Sequence, residues 1–450
     1  MSRLFGTDGV RGVANSELTP ELAFNLGKAG AHVLSKSSSK PIIITGADTR
    51  ISGDMLENAI SSGILAVGGN VIKAGVLPTP AIAYLVKYYH ADAGVMISAS
   101  HNPFEYNGIK FFNGKGFKLD DELEDEIEDI IMRDIEVNRY IHGDKLGRCL
   151  EAEDSAADLY VKFLLSTAEG LDLSGKKIVL DCANGASYKV AERVYKTLGA
   201  DVVMIGNKPN GLNINEACGS THPEHLQQKV VSEGAFMGMA FDGDADRLIA
   251  VDEKGQLIDG DKLICICAKR LKEEGRLVDD KVTATVMSNI GFHKYIESIG
   301  CKVDVTSVGD RYVLESMLRT GCVIGGEQSG HIIFLEHTTT GDGILSSLQV
   351  IKSVLDSGRM PSELAGEIEI FPQVLKNARV KNENKLKYKD DEEVQDAIQK
   401  VEKTMEGDGR VLIRPSGTEP LVRVMIEGTN TEQITELAEG MAKMLTRKFG

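Results

Sequence analysis

The stretch Gly94-Val-Met-Ile-Ser-Ala-Ser-His-Asn-Pro-Phe-Glu-Tyr-Asn-Gly-Ile-Lys110 joins an apolar run to a polar turn. The run from Ala93 to Ile97 is typical of a buried strand, and Pro103 cannot continue a sheet ladder. Ser100 is therefore expected on a turn at a strand end. In open α/β sheets, ligands bind beyond the carboxyl ends of the strands, so this hydroxyl is placed to meet a ligand.

The pattern around this stretch is strand, helix, strand, and it occurs three times. It begins near Pro41, Lys177 and Val282, and each time the helix ends at a glycine, as an αL cap requires. From about Phe371 the order changes to strand, helix, two strands and helix. The sequence therefore predicts three similar mixed α/β domains followed by a smaller α+β C-terminal domain.

Length and charge restrict the class of protein. A chain of 450 residues exceeds what one hydrophobic core usually serves, so two to four domains are expected. No apolar run reaches about 18 residues and the N-terminus lacks a signal-peptide core, which predicts a cytoplasmic protein without a membrane span. The net charge of -16 argues against nucleic acid as a partner, whereas a few arginines focused in a cleft can still hold a small phosphate ester.

A second candidate site is Asp242-Gly-Asp-Ala-Asp-Arg247, which follows an apolar run. Three carboxylates at alternate positions repel one another unless a cation lies among them, and hard oxygen ligands suit magnesium or calcium. A calcium-binding EF-hand loop is excluded because Arg247 stands where that loop needs glycine, and because Leu248 to Val251 reads as a strand. On residue type alone, a solvated acidic turn is as good an interpretation as a metal site.

Two further loops carry polar groups around glycines. The loop Gly325-Gly-Glu-Gln-Ser-Gly-His331 can hydrogen-bond vicinal hydroxyls or an amino group. The loop Arg414-Pro-Ser-Gly-Thr-Glu-Pro420, with Arg423, offers arginine forks, hydroxyls and free backbone N–H groups, which describes an anion cradle. By residue pattern alone, both loops are also compatible with ordinary turns.

These motifs, together with Ser98-Ala-Ser-His-Asn-Pro103 and Asn107-Gly-Ile-Lys110, resemble the α-D-phosphohexomutases. The resemblance spans the chain, with four motif loops in the family's order. It implies that Ser100 is the phosphoserine. It also implies that the aspartates of the second site bind one Mg²⁺ per active site, namely Asp242, Asp244 and Asp246, with the serine phosphate completing the coordination.

The same resemblance implies roles for other residues. The further catalytic residues would be Arg11, His101, Lys110, Arg247 and His331, the last a general acid/base candidate because imidazole titrates near neutrality. The sugar contacts would be Glu327 and Ser329. The residues that hold the non-transferring phosphate would be Arg414, Ser416, Gly417, Thr418 and Arg423. The segment 46–50 departs mildly from the family pattern, which usually has a basic residue before Asp-Thr-Arg, and this departure puts no catalytic role in doubt. A structural or positioning role is expected for the segment 309–313.

The resemblance places four domains around a central cleft. The expected ranges are 1–153 for the phosphoserine-loop domain, 154–255 for the metal-loop domain, 256–368 for the sugar-loop domain and 369–450 for the phosphate-binding domain. Family members are often dimers, so a homodimer is a candidate assembly.

Three details resemble the amino-sugar branch of the family. They are the segment Phe5 to Gly12, the serine at Ser98 and the glutamine at Gln328. The implied reaction interconverts glucosamine 6-phosphate and glucosamine 1-phosphate through glucosamine 1,6-bisphosphate. This bisphosphate, or another hexose bisphosphate, would act as activator. Its product would feed UDP-N-acetylglucosamine and peptidoglycan precursor synthesis. The alternatives are phosphomannomutase/phosphoglucomutase activity and, less favoured, a metal-dependent sugar phosphatase.

Overall fold

A computed structural model describes residues 3–6, 8–35, 38, 40–137, 141–152, 154–405, 407–416 and 419–450. The chain forms two compact units. The larger contains residues 1–287 and 301–366, and the smaller contains residues 288–300 and 367–450. None of the described helices combines the length and the apolar character that crossing a membrane requires.

The N-terminal part contains strands and α-helices. They are β1 (Val10–Val13), α1 (Pro20–Leu34), β2 (Ile42–Ala47), α2 (Gly53–Ala66), β3 (Asn70–Val76), α3 (Thr79–Tyr88), β4 (Ala93–Ile97), β5 (Tyr106–Asn113), α4 (Asp121–Met132) and β6 (Cys149–Leu150). The strands form one sheet in the order β1-β5-β4-β2-β3-β6. Its core includes fully buried Leu26, Ile60 and Val95.

The next part follows the same order. It contains α5 (Ala156–Thr167), β7 (Lys177–Asp181), α6 (Val190–Thr197), β8 (Asp201–Ile205), α7 (Glu224–Glu233), β9 (Met237–Phe241), β10 (Leu248–Val251) and β11 (Leu257–Ile258). The sheet order is β11-β10-β9-β7-β8. Strand β11 pairs with β10 and so extends this sheet past residue 255, where the sequence predicted a boundary.

The third part contains α8 (Gly260–Glu273), β12 (Lys281–Thr285), α9 (Ile290–Ser298), β13 (Lys302–Thr306), α10 (Asp310–Thr320), β14 (Ile324–Gly326), β15 (Ile332–Phe334), α11 (Gly343–Ser357) and α12 (Pro361–Ala365). The sheet order is β13-β12-β14-β15. Helix α9 belongs to the smaller unit, because the Ile290 N–H donates to Glu427 and the Asn289 amide donates to the Phe371 carbonyl, both at 3.0 Å.

The smaller unit is completed by β16 (Gln373–Arg379), α13 (Glu392–Thr404), β17 (Gly409–Pro415), β18 (Leu421–Gly428) and α14 (Thr431–Phe449). Its three strands are antiparallel in the order β16-β18-β17. Side chains at the helix N-termini fix where the helices begin: Asp391 accepts the Val394 N–H at 3.0 Å, and Asn430 accepts that of Gln433 at 3.1 Å.

The three larger sheets share one plan. In each, a central strand pairs in parallel with two neighbours, and the second neighbour turns back into an antiparallel strand. The returning turns are β4–β5, β9–β10 and β14–β15. Those turns carry the predicted serine, metal and sugar loops, because a turn after a parallel strand lies at the carboxyl edge of its sheet. The predicted fold class is confirmed.

Candidate active site

The serine loop follows β4 and presents Ser100 in a left-handed backbone conformation, with φ of 52°. This conformation is costly for a residue that has a Cβ and persists where the surroundings enforce it. The side chain is buried, and its hydroxyl donates to Asp242 Oδ2 at 2.6 Å. The Nδ1 atom of His101 lies 3.3 Å from the same hydroxyl oxygen. The structure thus brings the predicted serine, histidine and first aspartate together.

A buried arginine enforces this loop conformation. The Arg50 guanidinium pairs with Asp48 at 2.9 Å. It also donates to four backbone carbonyls of the serine loop, those of Ser100, Asn102, Pro103 and Tyr106. The segment 48–50 is therefore the clamp of the serine loop. The sequence carried the signal of a buried Arg–Asp pair, but the carbonyls lie about fifty residues further along the chain.

We expect Arg50→Lys to lower the free energy of unfolding by about 2 kcal/mol, because an ammonium cannot replace the planar fork and leaves buried carbonyls unpaired. Urea unfolding measures this change. Arg133→Lys is the control, since Arg133 is 69% exposed and its replacement should cost no more than about 0.5 kcal/mol. Equal effects of the two substitutions would contradict the clamp.

Two more polar side chains complete the support of the loop. The Ser98 hydroxyl donates to Asp48 Oδ2 at 2.6 Å and accepts the Ser100 N–H at 2.9 Å. The Asn215 amide donates to the Ser100 carbonyl at 2.9 Å. Ser98, which belongs to the motif that identified the family and also to the details that distinguish its branches, is thus part of the scaffold under Ser100.

The metal loop lies between β9 and β10. One carboxylate oxygen from each of Asp242, Asp244 and Asp246 falls within 4.8 Å of the others, and all three residues are buried. Among the described residues, Asp244 Oδ1 and Asp246 Oδ1 have no hydrogen-bond partner. Buried, unpaired carboxylate oxygens that converge on one point are the donor set that a hard divalent cation takes.

The pKa shifts of Asp242 and Asp246 agree with a cation bound among these carboxylates. Burial, and then the charges of Asp246 and Asp244, raise the pKa of Asp242 well above its usual range. Burial would also raise the pKa of Asp246, but the neighbouring His331 and Lys110 outweigh it and hold that pKa far below normal. Three carboxylates packed this closely therefore need further positive charge.

Basic groups border the metal loop. The Lys110 ammonium is buried and contacts Asp244 at 2.8 Å, Asp8 at 2.9 Å and Asp246 at 3.9 Å. Arg11 pairs with Asp8. The Arg247 backbone N–H donates to Asp242 Oδ1 at 3.2 Å.

One residue that the sequence analysis missed also holds the loop. The buried Thr79 hydroxyl, at the start of α3, donates to Asp244 Oδ2 at 2.5 Å, and its N–H donates to the Asp244 carbonyl at 2.9 Å. No local pattern marks a threonine before a proline as a partner of an aspartate 165 residues away.

The predicted sugar loop lies against the metal loop. The Leu248 N–H donates to the Gly330 carbonyl at 3.0 Å. Gly330 has φ of 93°, and a Cβ there would lie 2.1 Å from the Leu248 carbonyl oxygen, so this close contact requires glycine. Glu327 is half-buried and accepts the Gly309 N–H at 3.0 Å, while Ser329 is exposed.

His331 lies beside Asp246 of the metal loop. Its side chain is buried, its Nδ1 faces Asp246 Oδ2 at 3.5 Å, and its Nε2 accepts the Gly341 N–H at 3.0 Å. Its Nε2 also lies 3.7 Å from Asp310 Oδ2. Burial would lower the pKa of the imidazole, but the neighbouring Asp246 and Asp310 outweigh it and raise that pKa. The general acid/base role expected of His331 stays a prediction.

The predicted phosphate loop is in the smaller unit. Arg414 and Arg423 face each other in the β17–β18 register. Burial, and then the charge of Arg423, lower the pKa of Arg414. The Lys385 ammonium donates to the Ser416 carbonyl at 2.9 Å, which adds a third cation that the sequence analysis did not predict. Gly417 and Thr418 lie outside the described residues.

Family models match the chain in four consecutive segments. They are described as phosphoglucomutase/phosphomannomutase alpha/beta/alpha domains I, II and III and the C-terminal domain of the same family. They match residues 2–138, 158–255, 259–371 and 375–444 respectively.

Curated relatives match over the full length. The phosphoglucosamine mutase of Clostridium novyi (strain NT) is 57% identical over 448 residues, which cover 100% of this chain and 99% of the relative. The phosphoglucosamine mutase of Thermoanaerobacter sp. (strain X514) is 56% identical over 449 residues, which cover 100% of both.

Solved structures show the same fold. A phosphoglucomutase/phosphomannomutase family protein from Burkholderia thailandensis superposes with a TM-score of 0.79 at 23% identity, covering 99% of this chain and 98% of that one. The N-acetylphosphoglucosamine mutase of Aspergillus fumigatus, solved with GlcNAc-6P and magnesium, gives 0.70 at 17% identity, covering 99% and 96%. With four matching domains and full-length relatives, this chain belongs to the phosphoglucomutase/phosphomannomutase family of the α-D-phosphohexomutase superfamily and is an intramolecular phosphotransferase of the isomerase class.

Proposed function

We propose that this enzyme interconverts glucosamine 6-phosphate and glucosamine 1-phosphate, the activity that the names of its full-length relatives state. The observation that carries the mechanism is the Ser100 hydroxyl, buried and 2.6 Å from a carboxylate of the aspartate triad. A hydroxyl in that position is a phosphoryl acceptor next to the cation site that transfer requires.

The proposed reaction has two transfers. In the first, the bond between phosphorus and Ser100 Oγ breaks, a bond to the free sugar hydroxyl forms, and glucosamine 1,6-bisphosphate results. The sugar hydroxyl loses its proton and Oγ gains one. The bisphosphate then reorients, and Oγ takes the opposite phosphoryl group. A hexose bisphosphate supplies the first phosphoryl group and so acts as activator.

Mg²⁺ held by the triad and the serine phosphate, one ion per site, would neutralise charge on the transferring group. Lys110 and Arg247 add positive charge beside the same loop, and Arg11 is close to it through Asp8. Burial, and then Arg247 and Arg11, lower the pKa of His101, which keeps this imidazole neutral and able to take a proton near Oγ.

Glu327 and Ser329 are proposed as the sugar contacts. Arg414, Ser416, Gly417, Thr418 and Arg423 are proposed to hold the non-transferring phosphate. The facing arginines of that loop support this role, since two like charges in register favour a bound anion.

Arg414→Met should raise the KM for the sugar phosphate roughly ten- to a hundred-fold, because one charged hydrogen bond contributes about 1.5–3 kcal/mol. Steady-state kinetics measure the change. Arg447→Met is the control, since Arg447 is 74% exposed on the last helix of the same unit. An unchanged KM in Arg414→Met would remove this residue from the phosphate site.

The direct test is conversion of glucosamine 6-phosphate with magnesium and a trace of hexose 1,6-bisphosphate, beside glucose 1-phosphate and mannose 1-phosphate. A strong preference for the amino sugar is expected. Preference for glucose or mannose phosphate would favour phosphomannomutase/phosphoglucomutase activity, and release of free phosphate would favour the phosphatase alternative.

The proposal also includes the cellular location, the use of the product and the assembly. We place the enzyme in the cytoplasm, where its product would feed UDP-N-acetylglucosamine and peptidoglycan precursor synthesis. A homodimer is the proposed assembly, and sedimentation of the purified chain measures it.

A further inference from the structure

Lys118 has no part in the proposed reaction, yet it is held between two carboxylates. It lies in the turn between β5 and α4. Its ammonium contacts Asp8 Oδ1 at 2.5 Å and also pairs with Asp310 Oδ2. The side chain is only 16% exposed, so both ion pairs are largely removed from solvent.

These pairs close a ring of alternating acidic and basic side chains. Its members in order are Asp246, His331, Asp310, Lys118, Asp8 and Lys110, and Lys110 returns to Asp246. The separations between neighbours do not exceed 3.9 Å. Asp246 belongs to the proposed metal site, and Lys110 contacts Asp244 of the same site.

Each buried member of such a ring depends on its neighbours. A buried charge that loses its partner is strongly disfavoured, so the remaining groups move to find another. If Lys118 were removed, Asp8 would keep Lys110 as its buried cation beside the more exposed Arg11. Asp310 would lose its lysine and keep the contact with His331. The Lys110 ammonium would then be drawn away from Asp244, which it now contacts at 2.8 Å.

We propose that Lys118 is a positioning residue, which places the Lys110 ammonium on Asp244 and thereby weakens cation binding while favouring phosphoryl transfer. The charge of Lys118 acts in the same direction, because a cation in a buried cluster reduces the affinity of nearby carboxylates for a second cation. The claim that Lys118 favours phosphoryl transfer rests on the proposed function. The claim that it weakens cation binding does not.

The test uses Lys118→Met in the full chain. Binding of Mn²⁺ to the metal-free protein, followed by the electron paramagnetic resonance signal of free Mn²⁺, is expected to tighten at least three-fold. The kcat for the sugar phosphate is expected to fall at least ten-fold, with KM changed less than three-fold. Lys118→Arg, which keeps the cation, should restore both quantities to within three-fold of the wild type.

Lys115→Met is the matched control, since Lys115 is an exposed lysine of the same turn and loses the same charge. It should leave Mn²⁺ affinity and kcat unchanged. A purely structural role for Lys118 predicts weaker or unchanged Mn²⁺ binding. Either result, or a large rise in KM with normal kcat, would overturn the proposal.

Asp310→Asn keeps the test decisive if Lys118→Met does not fold. Without the Asp310 carboxylate, the Lys118 ammonium should oppose cation binding more strongly. Mn²⁺ should therefore bind at least three-fold more weakly. Stronger binding would contradict the inference. If the Mn²⁺ results appear as expected in a protein that turns over no amino-sugar phosphate, the proposed function fails and the positioning role stands.

Discussion

Ser100→Ala is expected to abolish turnover, with a loss on the order of 10⁴-fold or more, because the Ser100 hydroxyl is the proposed acceptor of the phosphoryl group. The hydroxyl is buried 2.6 Å from Asp242, so the substitution removes one hydrogen bond together with the proposed nucleophilic oxygen. Conversion of glucosamine 6-phosphate, started with a hexose bisphosphate, measures the effect. Mass spectrometry should find phosphate on the peptide that contains Ser100 and none on that peptide in the variant.

The fold should survive this substitution. The left-handed backbone at Ser100 is held through its carbonyl by Arg50 and Asn215, and these contacts do not involve the hydroxyl. Thermal unfolding is therefore expected within a few degrees of the wild type. Ser62→Ala, on the exposed face of α2, is the control with normal activity. Undiminished turnover in Ser100→Ala would show that the nucleophile is another group.

The second large effect is expected for Asp242→Asn, which should lower the transfer rate on the order of 10³-fold, because it removes one carboxylate from the proposed cation site. In the wild type, Mg²⁺ at a hundred times its Kd should stabilise the folded protein by about 2.7 kcal/mol and raise the unfolding temperature. The variant should lose this response. Thermal unfolding with and without Mg²⁺, beside activity after chelation, measures both changes.

The same substitution should change the stability of the metal-free protein in a direction that can be stated separately. Burial and the charges of Asp246 and Asp244 raise the pKa of Asp242, so its ionised form is unfavourable when no cation is bound. Asp242→Asn removes that repulsion, and the metal-free variant should be at least as stable as the wild type. Asp356→Asn, an exposed position on α11, should change neither activity nor the Mg²⁺ response. A Mg²⁺ response that persists in Asp242→Asn would place the cation elsewhere.

Much of the plan could be predicted from local patterns. Apolar runs of strand length, helices that end at glycine and polar turns after each run predicted three repeated α/β parts and a smaller last one. The loops at the ends of β4, β9 and β14 were predicted because a turn after a buried strand is a local feature. The alternate spacing of the aspartates at 242, 244 and 246 made a cation site one of two equal interpretations, and the resemblance to the family decided between them.

Other features depend on groups far apart in the chain. The turn that holds Lys118 reveals neither Asp8, 110 residues before it, nor Asp310, 192 residues after it. In the same way, Arg50 reaches carbonyls that any residue would supply, so no side-chain pattern marks them. Helix α9 looks like part of the third repeat, yet its hydrogen bonds join it to the C-terminal unit.

By itself, then, the sequence determined which turns follow buried strands and carry polar or charged side chains, because strand length, helix caps and carboxylate spacing are properties of neighbouring residues. The tertiary structure decided which charges meet: Arg50 under the serine loop, His331 turned toward Asp246, and Lys118 between Asp8 and Asp310. The physical reason is that a charge is buried only where packing brings it an opposite partner, and that partner is chosen by the whole fold.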